Sequence, residues 1–123
     1  MKTAFAPLTA EAFVAVAGTP PPFTCRGFSI LDGDRPVLVA GVFPDENRHI
    51  LFSHFAPEFR EKLGTFGARR AIALGIRRTV ALLGSIRGAI DANAEAYSGS
   101  ETLLIHLGFR RVHGSIYRFE RGA

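Results

Sequence analysis

The stretch Ser98-Gly99-Ser100-Glu101-Thr102-Leu103-Leu104-Ile105-His106-Leu107-Gly108-Phe109 reads as one short helix with both of its ends specified. Ser98 and Glu101 have the Ser-x-x-Glu spacing of a capping box, in which the serine oxygen accepts the N3 amide and the glutamate reaches back. Leu103, Leu104 and Leu107 supply its apolar face. Gly108 suits the left-handed conformation that stops a helix, and Phe109 then packs back on Leu104. Arg110 to Glu120 follows as a final strand. The chain therefore closes on a helix feeding a strand.

Upstream, from about Thr65 to Leu83, the residues Ala68, Ile72, Ile76, Val80 and Leu83 recur every three or four positions, which predicts a long amphipathic helix. Arg69, Arg70, Arg77 and Arg78 fall off that stripe, and Gly84 ends it. Gly88 to Ala92 reads as a short strand. In the first half, Lys2 to Ala6 is a strand, Thr9 an N-cap for a helix through about Ala17, and Gly18 its stop. Gly18-Thr19-Pro20-Pro21-Pro22 is a linker, because proline fixes φ and lacks the N–H. Thr24–Leu31 and Val37–Phe43 flank Asp32-Gly33, a hairpin signal. Pro44 to Asn47 makes a second turn, and His49 to Phe55 a third strand. The order β-α-β-β-β-α-β-α-β predicts an α/β (α+β) fold, a mixed and mostly antiparallel central sheet flanked by helices.

With 123 residues, 47% of them apolar and 21% charged, the composition fits one domain spanning 1–123 around one core. Cys25 is the single cysteine, so no internal disulfide forms, and a buried inert thiol is the simplest role for it. No signal-like or membrane-length apolar run is present, and the chain reads as cytoplasmic. The net charge is +4, carried by thirteen Arg and two Lys against eleven acids. No Ser/His/Asp triad, HExxH or P-loop spacing occurs, and four scattered His predict no metal site.

The order of elements, together with Leu103-Leu104-Ile105-His106-Leu107-Gly108-Phe109 and the strand after it, resembles the end of the last helix in GNAT superfamily N-acetyltransferases. The resemblance covers residues 24–119 well and the first 20 loosely. It is particularly similar to the short GNAT-like proteins of tailed bacteriophages, which would allow a virion-associated location. It implies an acetyl-CoA-dependent transfer to an amine or protein acceptor. Acetyl-CoA would wedge between two parallel strands that splay apart, His49–Phe55 and Gly88–Ala92, with backbone amides around Ser53 and Phe55 polarising the thioester. Its pyrophosphate would sit at the head of the long helix, on Lys62, Gly64, Thr65, Gly67, Arg69 and Arg70. Six basic residues and one acid lie between Arg60 and Arg78.

Three positions depart from the family pattern. Glu61 is acidic where the loop usually starts with Gln or Arg, Phe66 is bulky where it ends small, and Leu104 stands where a tyrosine often protonates the departing thiolate. The catalytic candidates are therefore Asp91 and Glu95, which would serve as bases if burial raised their pKa, with His54 on the central strand and Tyr97 before the last helix. The catalytic reading requires that the two strands part and that Glu61 and Phe66 do not plug the mouth. A GNAT fold retained for protein binding, in phage assembly or host interaction or as a homo-oligomer, stays open. Nucleic acid is not the expected partner, since base stacking needs exposed aromatics beside the charge and most Phe residues follow core spacing.

Overall fold

A computed structural model describes residues 2–21, 24–94 and 101–120. Strand β1 (Thr3–Pro7) leads to helix α1 (Ala10–Ala17), then to β2 (Arg26–Asp32), β3 (Arg35–Asp45) and β4 (Arg48–Phe55). Helices α2 (Pro57–Arg60) and α3 (Phe66–Ser85) precede β5 (Ile90–Asn93), α4 (Glu101–His106), β6 (Arg110–His113) and β7 (Ile116–Phe119). All seven strands join one sheet in the order β1-β2-β3-β4-β5-β7-β6, and only β4 and β5 run parallel. This is the mixed, mostly antiparallel sheet that the element order implies.

Local chemistry accounts for most boundaries. The Thr9 hydroxyl accepts the Ala12 amide at 3.1 Å and opens α1, while Gly18 closes it at φ 84°. Gly33 takes φ 66° in the two-residue turn between β2 and β3. Gly108 takes φ 102° after α4, and the Phe109 amide donates to the Leu104 carbonyl at 3.0 Å, as the stop signal predicts. Ser98, the expected cap of that helix, lies outside the described residues.

Two expectations need correction. Arg110 to Glu120 is a hairpin, not one strand: Gly114, at φ 54°, turns β6 back onto β7. The sheet thus gains an edge strand at the end where the sequence reading had none. The buried stripe of α3 is Ala68, Ala71, Gly75, Thr79 and Leu83, and Val80 is 53% exposed. The helix is rotated from the phase set by its larger apolar residues, because small side chains let it lie close to the sheet. Arg78, off the stripe, stacks 3.8 Å over the Phe5 ring on β1, which commits one arginine of the basic helix to structure.

Helix α1 covers one face of the sheet, where Phe13 meets Phe52 and His54 edge-on. Helices α3 and α4 cover the other, over Leu38, Ala40, Ser53 and Phe55. Strand alternation places residues 52 and 54 opposite 53 and 55. Strand β3, buried on both faces from Val37 to Val42, is the spine between them.

Gly27 and Gly41 face each other across β2 and β3. A Cβ at Gly41 would stand 2.3 Å from the Arg26 carbonyl oxygen and 2.9 Å from the Gly27 Cα. Those atoms are backbone and cannot rotate away. Gly41→Ala is expected to destabilise by about 3 kcal/mol, the upper part of the overpacking range, read as a lower urea midpoint. An unchanged midpoint contradicts this.

Candidate active site

Strand β4 continues to Phe55, yet its register with β5 ends at Ile50↔Asp91. Strand β5 meanwhile pairs with β7 along all of Ile90–Asn93. The two parallel strands therefore part beyond Ile50. The His49 amide donates to the Ala89 carbonyl at 3.0 Å, so the period of two turns the Ser53 and Phe55 amides toward the same side, where the ladder has stopped.

Over this gap lies a narrow apolar cleft of about 30 Å³, walled by Ser53, Phe55, Gly75, Thr79, Leu103 and Leu107. Its polar atoms are few. Ser53 is buried, and the Thr79 hydroxyl donates to the Gly75 carbonyl at 2.8 Å. Leu103 on α4 and Leu107 just after it form the wall opposite β4.

Thr65 caps α3 about two turns before the residues that line the cleft. Its hydroxyl accepts the Ala68 amide at 3.2 Å and donates to the Lys62 carbonyl at 2.7 Å, so it has no proton left for a phosphate. The Phe66 and Gly67 amides, the first two of α3, make no hydrogen bond among the described residues. Lys62, Arg69 and Arg70 are exposed around them. Gly64 lies in the same turn, and nothing would meet a Cβ there within 4 Å. Phe66 is 76% exposed and Glu61 is also exposed, and neither lines the cleft. The bulky and acidic departures in this loop do not plug the mouth.

The four catalytic candidates fare differently. Asp91 is buried and carries two guanidiniums: Arg118 Nε at 2.6 Å and Nη2 at 3.0 Å, and Arg48 Nη1 at 2.6 Å. Hydrogen bonds from Arg118, and then from Arg48, outweigh burial and hold its carboxyl below the usual aspartate range. The condition for Asp91 to act as a base, a pKa raised by burial, is not met, and a carboxylate so paired is a poor base. Sequence reading missed this triad, since Arg118 faces Asp91 only once β7 is known to lie beside β5. The imidazole of His54 lies on the α1 face, away from the α3 cleft, and burial followed by the charge of Arg60 pushes its pKa down, leaving it neutral near pH 7. Glu95 and Tyr97 lie outside the described residues.

Another polar contact was also not foreseen. The Tyr117 hydroxyl on β7 donates to the Glu101 carboxylate at the head of α4, which lifts the tyrosine pKa. Leu104, at the family tyrosine position, is wholly buried in the second core cluster. Cys25, expected to be buried, is only half-buried, and that burial raises its thiol pKa. Among the described residues, no group of three His, Cys, Asp or Glu is placed to hold a metal, and no helix is long and apolar enough to cross a membrane.

A seven-stranded, mostly antiparallel sheet flanked by helices, with β4 and β5 its parallel pair, matches the fold of the GNAT acyl-CoA N-acyltransferases. A protein of Desulfovibrio desulfuricans, described as an acetyltransferase of the GNAT family, superposes with a TM-score of 0.55 at 17% identity, covering 96% of this chain and 98% of its own. The ribosomal-protein-S18-alanine N-acetyltransferase of Escherichia coli superposes at 0.53 and 11% identity, over 94% of this chain and 89% of its own. At such identities the likeness is one of fold. By sequence, no family model and no curated protein matches the chain.

Proposed function

We propose that the protein transfers an acyl group from acetyl-CoA directly to an amine. The parting of β4 from β5 beyond Ile50 carries this reading, because β4 there keeps its register with β3 but not with β5, which opens a gap between two parallel strands of one sheet. Acetyl-CoA would supply an activated acyl carbon and a thiolate leaving group. The Ser53 and Phe55 amides orient the pantetheine arm and stabilise charge growing on the carbonyl oxygen as the amine attacks. The amides of Phe66 and Gly67, the α3 dipole, and Lys62, Arg69 and Arg70 take the phosphates. The amine must lose a proton and the thiolate must gain one. With Asp91 neutralised by arginines, Glu95 is the proposed base and Tyr97 the proposed acid.

Titration calorimetry with acetyl-CoA and CoA tests the reading, and no heat at millimolar ligand rejects it. Arg69→Ala combined with Arg70→Ala is expected to weaken CoA binding about tenfold, the scale of charge-assisted contacts. Affinity for a phosphate-free pantetheine thioester should not change. Equal losses for both ligands would place the arginines elsewhere.

Leu104 favours a second reading. With the tyrosine position filled by a core leucine, the fold could serve protein binding in phage assembly or host interaction. That reading expects no CoA affinity and a stable complex or oligomer in light scattering.

A further inference from the structure

A second cavity lies at the end of β4, on the side of the sheet that α1 covers. A pocket of about 290 Å³ is lined by Val16 and Ala17 at the end of α1, His54 and Phe55 at the end of β4, and Pro57 and Arg60 on α2. Phe55 lines both this pocket and the apolar cleft, in the stretch where β4 runs on without β5. Among the described residues, neither the Arg60 guanidinium nor the His54 imidazole has a hydrogen-bond or ion-pair partner. Arg60, which opens the basic stretch, lines this pocket from the end of α2.

An unpaired guanidinium offers a planar fork of donors that matches a carboxylate, and a neutral imidazole beside it adds one more donor. The remaining walls are apolar and would seat a few methylenes. We propose that this pocket holds the carboxylate of a small amino-acid acceptor, with Arg60 and His54 as its donors and the amine directed past Phe55 toward the gap. The proposal rests on the acyl-transfer reading for the word acceptor, while the carboxylate site stands without it.

The first experiment uses the cofactor-free protein and follows the His54 imidazole by NMR during titration with glycine, β-alanine or 4-aminobutyrate, each against its carboxamide. At least one free acid should shift His54 and its carboxamide should not. Arg60→Ala should weaken that acid about tenfold or more, with Arg60→Lys retaining part of the affinity. A silent His54, or equal binding of acid and amide, overturns the proposal. The second experiment adds acetyl-CoA. Arg60→Ala should raise the KM for the acid about tenfold and leave kcat within about twofold. Turnover that is blind to the carboxylate and to Arg60 overturns the pocket and leaves acyl transfer standing. Carboxylate binding with no consumption of acetyl-CoA overturns the acceptor role and leaves the carboxylate site, while absence of acetyl-CoA binding in calorimetry is what overturns the acyl-transfer reading.

Discussion

Asp91→Ala is expected to destabilise the fold by about 3 kcal/mol at pH 7. Removing one member of a buried ion group leaves its partners uncompensated, at a cost near 3–5 kcal/mol. The lower end applies because Arg48 and Arg118 keep 38% and 32% of their side-chain surface in water. The same triad predicts an acid dependence. The folded-state pKa of Asp91 is depressed, so its contribution is fully present above the unfolded value, near ~3.9. It is lost as pH falls through the lower folded value. Urea melts at pH 7 and at pH 3 check both statements. Asp91→Asn should lower the midpoint at pH 7 and narrow the gap between the two pH values, whereas an unchanged gap would assign acid sensitivity to other carboxyls.

Gly75→Leu should abolish acetyl-CoA binding, with a loss of about a hundredfold or more, while the fold stays intact. Gly75 faces Leu38 across the cleft, and a Cβ there would meet Leu38 methyls at 3.7 and 3.8 Å, ordinary contact distances. The backbone therefore accepts a side chain, and leaving glycine in a helix interior gains about 0.8–1 kcal/mol for a good helix former. The rest of a leucine would occupy the narrow cleft beside Ser53 and Phe55. Gly75→Ala is the control, with unchanged or higher Tm and binding retained. Calorimetry and thermal melts separate the two effects, and binding by Gly75→Leu at full strength would put the acyl arm outside this cleft.

The accuracy of the sequence reading followed the range of the interactions involved. Thr9, Gly18, Asp32-Gly33 and Gly108-Phe109 act within a few residues, and each turned or capped the chain as their chemistry requires. Short elements without such marks were missed. The helix α2 has only Pro57 to announce it, and His113-Gly114-Ser115 is a weaker turn signal than Asp-Gly. The phase of α3 was misread because its largest apolar residues do not mark its buried side. Ala68, Ala71 and Gly75 do, and small residues give little signal until a sheet lies against them.

At the site, the sequence by itself determined which chemistry was available: glycine and arginine at the head of a long helix, a central strand rich in apolar residues, and carboxylates after the next strand. It also determined the order of elements, and so the class of fold. Only the tertiary structure decided that β4 and β5 part after one short stretch of pairing, that Asp91 is shared between two arginines, and that Arg60 and His54 open on a second pocket. Each of these joins residues tens of positions apart, and such contacts exist only once strand order and helix phase are set by burial of the whole core.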